Sequence, residues 1–266
     1  MKTLLSIIKS YLRDPKAVTR QWDALKTTKS GVGFACSRHI QPHFVDHDYH
    51  CDHATNPLAN YFDHEDHNVI WKLRHYFDIY HRYLEKFRGK QTNILEVGIY
   101  GGGSLQMWLD YFGDQCQIIG IDINEECKQY ESENISIHIG NQTDRNFWRK
   151  LKKSIPDIDV FIDDGGHRAV QQITSFEEIL TKIRPGGVYI CEDILGLDNH
   201  FLDYILGLIK ALNACEHNED NDYFEASYLQ QKIKSIHVHP YILIIEMNES
   251  QILQFDTEKK GTNSSD

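Results

Sequence analysis

The chain has 266 residues, enough to bury a core without disulfide staples, and its 41% hydrophobic and 25% charged residues are an ordinary globular balance. Twenty-eight basic against thirty-nine acidic side chains give a net charge of −11, which argues against a phosphate-backbone partner, so no nucleic acid is expected. No apolar run approaches the ~20 residues of a membrane helix, and six cysteines without a CxxC pair read as reduced thiols of a cytoplasmic protein.

The chain starts MKTLLSIIKSYL. Lys9 breaks its apolar stretch and no small-residue cleavage site follows, so a signal peptide is disfavoured. Leu4, Leu5, Ile8, Tyr11 and Leu12 recur at helical spacing. They predict an amphipathic helix that docks on its own domain or on a sister subunit, and hence a homo-oligomer. His39, His43, His47, His50, Cys51 and His53 are residue types that zinc uses. However, Pro42 interrupts any helix there, and Asp46, Asp48 and Asp52 alternate with the histidines, so a solvated or lid-forming loop is the better reading. Residues 1–90 as a whole read as a mainly helical N-terminal or lid region.

After residue 90 the pattern changes. Short apolar runs, NILEVG (93–98), QIIGID (117–122), ISIHI (135–139), IDVFID (158–163) and GVYICED (187–193), alternate with helical stretches. Those stretches are SLQMWLDYF, EECKQYESE, TDRNFWRKLKKS and VQQITSFEEILTKI. Such alternation predicts βαβ units and a parallel sheet, and nearly continuous apolar strands fit a sheet covered on both faces. A further helix is expected near 198–213. IKSIHVH and YILIIEM follow, separated by Pro240 alone. A gap that short cannot hold a crossover, so this pair is expected to be antiparallel. The predicted fold is an α/β doubly wound, mostly parallel seven-stranded sheet with an antiparallel C-terminal hairpin. It spans residues 91–250, and 251–266 read as a polar tail.

In such sheets the ligand sits beyond the carboxyl ends of the strands. The first strand runs into Glu96-Val97-Gly98-Ile99-Tyr100-Gly101-Gly102-Gly103-Ser104, and an acid, Asp122, ends the second. A glycine loop at a helix N-terminus admits an anionic group, and the acid suits the two hydroxyls of a ribose. The GxGxxG fingerprint is absent. The fourth strand ends Asp163-Asp164-Gly165-Gly166-His167 and the fifth Glu192-Asp193. Carboxylates from adjacent strand ends repel unless a cation or proton joins them, and all-oxygen donors suit Mg²⁺. A single such acid reads as a helix cap. Asp164, Glu192 and Asp193 together read as a metal site, with His167 close by.

The acid-glycine loop resembles motif I of class I S-adenosylmethionine-dependent methyltransferases. The fuller combination resembles the metal-dependent sugar O-methyltransferases, the group of the macrolide-sugar enzymes and their cephalosporin-hydroxylase-like relatives. It comprises WKLRHYFDIYHRYL, ILEVGIYGGGSLQMW, GIDI, IGNQTDRNFW, DVFIDDGGH and RPGGVYICED, over about residues 56–247. The resemblance implies a Rossmann-like methyltransferase with S-adenosylmethionine and Mg²⁺ as cofactors. Its substrate would be a carbohydrate or glycosylated small molecule. Glu96, Gly98, Tyr100, Gly102 and Ser104 would border the methionine end of the cofactor, with Asp122 at the ribose. Asn141 and Gln142 would lie near the adenine, and Asp163 would touch the cofactor. Asp164, Glu192 and Asp193 would bind the metal. His167 would be the general base, with Asp164 the alternative. The run Trp71, His75, Tyr76, Tyr80 and His81 is shared with these relatives, without an assigned role.

The chemistry is coherent. A sugar hydroxyl is a poor nucleophile, and a divalent cation that chelates it lowers its pKa. An imidazole titrating near neutrality can accept the proton. The rivals are a nicotinamide-dependent oxidoreductase, against which the missing GxGxxG counts, and a hydroxylase-like tailoring enzyme. The latter needs redox iron, whose His-His-carboxylate triad is not evident.

Overall fold

The structure is a computed structural model that describes residues 15–37, 56–65, 67–196, 199–214, 223–258 and 260. The chain divides into two units between residues 50 and 51. In the first, a helix runs from Pro15 to Ser37 (α1). The stripe Leu4–Leu12 and the histidine stretch 39–53 lie outside the described residues.

The second unit opens with two helices, Pro57–His64 (α2) and Tyr76–Leu84 (α3). Asn56 caps α2 by accepting from the backbone N–H groups of Leu58 and Ala59, and Pro57 fits the first helical position. The sheet strands are Thr92–Val97 (β1), Cys116–Asp122 (β2), Ile135–Ile139 (β3), Ile158–Asp163 (β4) and Ile183–Cys191 (β5), with Ile233–His239 (β7) and Ile242–Met247 (β8). Their order is β3-β2-β1-β4-β5-β8-β7, with β1 to β5 parallel and β8 antiparallel to both neighbours. This is the doubly wound sheet and terminal hairpin expected from the sequence. The reversal of strand order lies between β1 and β4, where a cleft opens at the carboxyl ends.

Side chains on a strand alternate between faces. Ile94, Ile118, Val160, Ile162, Val188 and Ile190 pack on one side with α2, α3 and the helix Gly103–Phe112 (α4). Leu95, Ile119, Phe161, Tyr189 and Cys191 pack on the other, against Arg145–Ser154 (α5), Ala169–Ile179 (α6) and His200–Leu212 (α7). Both faces being covered explains why the strands read as continuous apolar runs.

Two elements differ from expectation. EECKQYESE, expected as a helix, is a 3₁₀ turn over Glu125–Tyr130. Asn124 caps its start, and Cys127 and Tyr130 point to the core at the three-residue spacing that a 3₁₀ turn aligns. Within the expected polar tail, Gln254–Asp256 (β9) pairs antiparallel with Tyr223–Glu225 (β6) in a small second sheet.

Candidate active site

A single cavity of about 1050 Å³ runs along the carboxyl ends of β1, β2, β4 and β5. Its lining at one end includes Gly98, Tyr100, Ser104, Asp122, Asn141 and Gln142, and at the other Asp164, His167, Glu192 and Asp193.

The glycine loop is built by close approach. Gly98 has φ +92°, and a Cβ there would stand 2.0 Å from the carbonyl oxygen of Asp164, so only glycine lets the β1 and β4 ends meet. Asp122 braces this loop. One carboxylate oxygen accepts from the N–H groups of Ile99 at 2.8 Å and Tyr100 at 3.4 Å, and the other from Asn124 N–H at 2.8 Å. Oδ2 is thereby engaged twice, and Oδ1, with one donor, keeps a lone pair for a further one. Tyr100, with φ 49° and an exposed ring, stands at the rim. Asn141 Oδ1 accepts from Thr143 N–H and hydroxyl, which opens the turn into α5.

Three residues read as cofactor-binding stand behind the cavity wall. Glu96 is fully buried, accepts from the Ser104 hydroxyl at 2.9 Å, and lies under the loop. Gly102 has φ +75° and packs against the Tyr130 ring, where a Cβ would meet ring carbons at 2.6 Å. Asp163 is buried on the opposite face of the sheet, where Gln142 Nε2 donates to it at 2.6 Å and also to Ser175 Oγ at 2.8 Å. Alternation is the cause: Asp163 follows Phe161 to the α5–α6 side, and Asp164 turns to the cleft. Gln142 also lines the cavity, but its side-chain oxygen Oε1 accepts from Gly166 N–H, so its polar atoms mainly join the β3 and β4 ends.

The acids of the cleft stand just past two adjacent strand ends, Asp164 after β4 and Glu192 and Asp193 after β5. Asp164, Asp193 and His167 each bring one ligand atom within 4.8 Å of the others. His167 Nε2 lies 3.7 Å from Asp193 Oδ2. Asp193 has φ 51°, a left-handed conformation that aspartate tolerates and that aims its carboxylate into the cleft. Glu192 is buried and lines the same cavity, but is not in that 4.8 Å set. One of its oxygens, Oε2, accepts from Lys72, and Oε1 is buried without a partner. This differs from the expected trio of Asp164, Glu192 and Asp193: His167 joins Asp164 and Asp193, and Glu192 turns toward a lysine.

Lys72 is the residue that sequence reasoning missed. Its ammonium is almost wholly buried and lies 2.5 Å from Asp164 Oδ2, 2.8 Å from Glu192 Oε2 and 3.8 Å from Glu96 Oε1. Burial alone would lower its pKa, but the Asp164, Glu192 and Glu96 charges outweigh it and hold the group well above its ordinary value. Burial pushes Glu96 up to about 7 in spite of Lys72, and raises Glu192, with Asp164 adding to the rise. Tyr76 works from the same segment, its hydroxyl donating to Asp193 Oδ1 at 2.9 Å. The other shared aromatics divide. Tyr80 stacks edge-on against Trp108 in the core, and His81 Nδ1 meets the Tyr111 hydroxyl at 2.8 Å. His75 Nε2 lies 2.9 Å from the carbonyl oxygen of Pro240, and Trp71, 82% exposed, lines the mouth.

The donor set fits a hard divalent cation. Two cleft carboxylates and an imidazole converge, and a buried orphan oxygen of Glu192 stands beside them.

Comparison with known proteins agrees with this geometry. Residues 95–194 match the family described as "Methyltransferase domain". Mycinamicin VI 2''-O-methyltransferase of Micromonospora griseorubida is 29% identical over 187 residues, covering 63% of this chain and 46% of that protein. Demethylmacrocin O-methyltransferase of Streptomyces fradiae is 30% identical over 197 residues, covering 66% and 49%. The chain thus spans about half the length of the curated relatives it matches. Among solved structures, MycE methyltransferase from the mycinamycin biosynthetic pathway, in complex with Mg, SAH and mycinamycin VI, superposes with a TM-score of 0.60 at 25% identity. That match covers 73% of this chain and 53% of MycE. The likeness to sugar O-methyltransferases and the Rossmann-like methyltransferase fold expected from the sequence are both borne out.

Proposed function

We propose that this chain transfers a methyl group from S-adenosylmethionine to a hydroxyl of a sugar, free or attached to a larger molecule, with Mg²⁺ at the acceptor. The single observation that carries the reading is the shared cavity, with the Asp122-braced glycine loop at one end and Asp164, His167 and Asp193 at the other. The relatives named above are O-methyltransferases of mycinamicin VI and demethylmacrocin, and MycE was solved with Mg and SAH.

The Gly98–Ser104 loop and Asp122 would bind the donor, with Asp122 Oδ1 accepting from a ribose hydroxyl. Asp164 and Asp193, with Glu192 beside them, would hold the cation. Once bound, that ion supplies a Lewis acid that lowers the pKa of a chelated hydroxyl. His167 takes the proton as the hydroxyl oxygen bonds to the methyl carbon. The carbon–sulfur bond breaks as that bond forms, and the sulfur keeps the electron pair as neutral adenosylhomocysteine. Positioning carries much of the rate, since the oxygen must stand in line behind the methyl carbon. The positive charge moves from the sulfonium to the imidazole, and the carboxylates at the acid end of the cleft favour it there.

Among the described residues no helix is long and apolar enough to cross a membrane, and Cys116, Cys127 and Cys191 are free and buried. The free thiols fit a reducing compartment, and on that ground the proposal places the chain in the cytoplasm. The homo-oligomer and the absence of a nucleic-acid partner remain part of this proposal, on the sequence arguments above. Methyl transfer from labelled S-adenosylmethionine to a panel of sugars and glycosides, with and without Mg²⁺, tests it. Label in a glycoside only when Mg²⁺ is present supports the reading. A thermal midpoint raised by NAD and not by S-adenosylmethionine would overturn it in favour of an oxidoreductase.

A further inference from the structure

The geometry points to Lys72 as a positioning residue that fixes Asp164 and Glu192 as the acid face of the cation site. This rests on the methyl-transfer reading above. Lys72 lines the same cavity, and its buried ammonium is shared by Asp164 Oδ2 and Glu192 Oε2, just beyond the ends of the adjacent strands β4 and β5. A single buried donor between two carboxylates locks the rotamers of both and reduces their mutual repulsion. It also decides which oxygens remain for a cation, because Glu192 Oε1 stays without a partner.

The lysine is itself held from two sides. The segment just before it lies across the glycine loop: a Cβ on Gly101 would stand 2.9 Å from Val69 Cβ, and one on Gly103 2.5 Å from Ile70 Cγ1. Just after it, Tyr76 ties the same stretch to Asp193. The run from Val69 to Tyr76 therefore braces three acids from one strap, and the strap's seat is the donor loop. Lys72 is also 3.8 Å from Glu96, whose other oxygen accepts from Ser104 at the start of α4. Partners that orient metal ligands affect affinity for the metal more than affinity for anything bound elsewhere.

The test is Mn²⁺ binding by calorimetry, on the full chain and without methyl donor. Lys72→Met is expected to weaken Mn²⁺ by ~10–100-fold, the usual cost of removing a group that orients a metal ligand. Its affinity for adenosylhomocysteine should stay within about threefold, because the loop and Asp122 are intact. Lys72→Gln, which keeps one donor, should fall between wild type and Lys72→Met, and serves alone if the methionine variant does not fold. A purely structural lysine would lower the melting midpoint and leave the Mn²⁺ affinity of the folded protein unchanged, which overturns the inference. Tighter Mn²⁺ binding in either variant also overturns it, since the ammonium would then be a competitor of the cation. A wild-type chain that binds adenosylhomocysteine but no Mn²⁺ overturns the metal part of the proposed function, and Lys72's role with it. Wild-type binding with equal binding by both variants overturns Lys72 alone.

Discussion

Tyr76 and Asp193 exchange two hydrogen bonds across the cleft: the hydroxyl donates to Asp193 Oδ1 at 2.9 Å and accepts from Asp193 N–H at 3.3 Å. Asp193 sits at φ 51°, so the tyrosine holds both the carboxylate and the unusual backbone that aims it. Tyr76→Phe should therefore cost about 1–2 kcal/mol of stability, the worth of a bond to a charged group in a partly open site. Mg²⁺ affinity should fall by ~10-fold with donor affinity intact. Urea unfolding and Mg²⁺ titration of one preparation check both, and a variant with wild-type metal affinity would mean that Asp193 needs no brace.

Asp163 is a buried brace whose charge is a burden. Burial pushes its carboxyl up to about 6, against the pull of Ser175 and Gln142. A raised folded pKa stabilises the fold below the unfolded value and loses that contribution as pH rises through the folded one. Stability from this group is thus present at pH 4 and gone by pH 7. Asp163→Asn keeps an acceptor for Gln142 and removes the charge. It should gain about 2–3 kcal/mol at pH 7, nothing at pH 4, and leave adenosylhomocysteine affinity unchanged. Urea midpoints at the two pH values decide it. A loss of cofactor affinity would return Asp163 to the cofactor-binding role that the sequence resemblance implied.

Gly98 and Asp122 support the donor loop by different means. Gly98→Ala puts a Cβ against the Asp164 carbonyl at a left-handed φ and should destabilise by about 2–5 kcal/mol. Asp122→Ala removes an acceptor proposed for the ribose hydroxyls and should weaken S-adenosylmethionine binding by about 1.5–3 kcal/mol. It also releases the Ile99 and Asn124 N–H groups, so its melting midpoint should drop as well. Calorimetry that finds Asp122→Ala binding the donor as tightly as wild type removes Asp122 from the site.

The fold was legible because its signals are local. β-Branched runs at regular spacing give the strands, and the bare Pro240 gap gives the hairpin. The acids at the carboxyl ends were legible for the same reason. Which of them face the cleft also follows from alternation along a strand. Counting twos from Phe161 sends Asp163 to the α6 face, and counting from Ile94 puts Glu96 on the side of Ile162 and Ile190. Lys72 stands within the WKLRHYFDIYHRYL stretch that carries the resemblance, but nothing local assigned it a role. It lies in an aperiodic stretch, and its carboxylate partners are 92 and 120 residues away in sequence, a pairing that tertiary structure alone creates. The β6–β9 pair was missed because its strands have three residues each, too few for a period to show.

The last prediction separates metal from base. His167 is 40% exposed at the turn before α6, with Nε2 3.7 Å from Asp193 Oδ2, so it faces the cleft without being built into the core. Asp164, by contrast, is tied to Lys72. Removing Mg²⁺ with EDTA should abolish transfer, and adding it back should restore the rate. Asp164→Ala and Asp193→Ala should lose metal affinity and regain part of their activity in excess Mg²⁺. His167→Ala should lose ~10²–10⁴-fold in turnover, keep its affinity for adenosylhomocysteine, and show no recovery at any Mg²⁺ concentration. Because His167 also lies within the 4.8 Å donor set, Mn²⁺ calorimetry on the variant is the control. Metal affinity kept with turnover lost assigns His167 the proton. Metal affinity and turnover lost together make it a ligand, and Asp164 then becomes the acceptor of the proton.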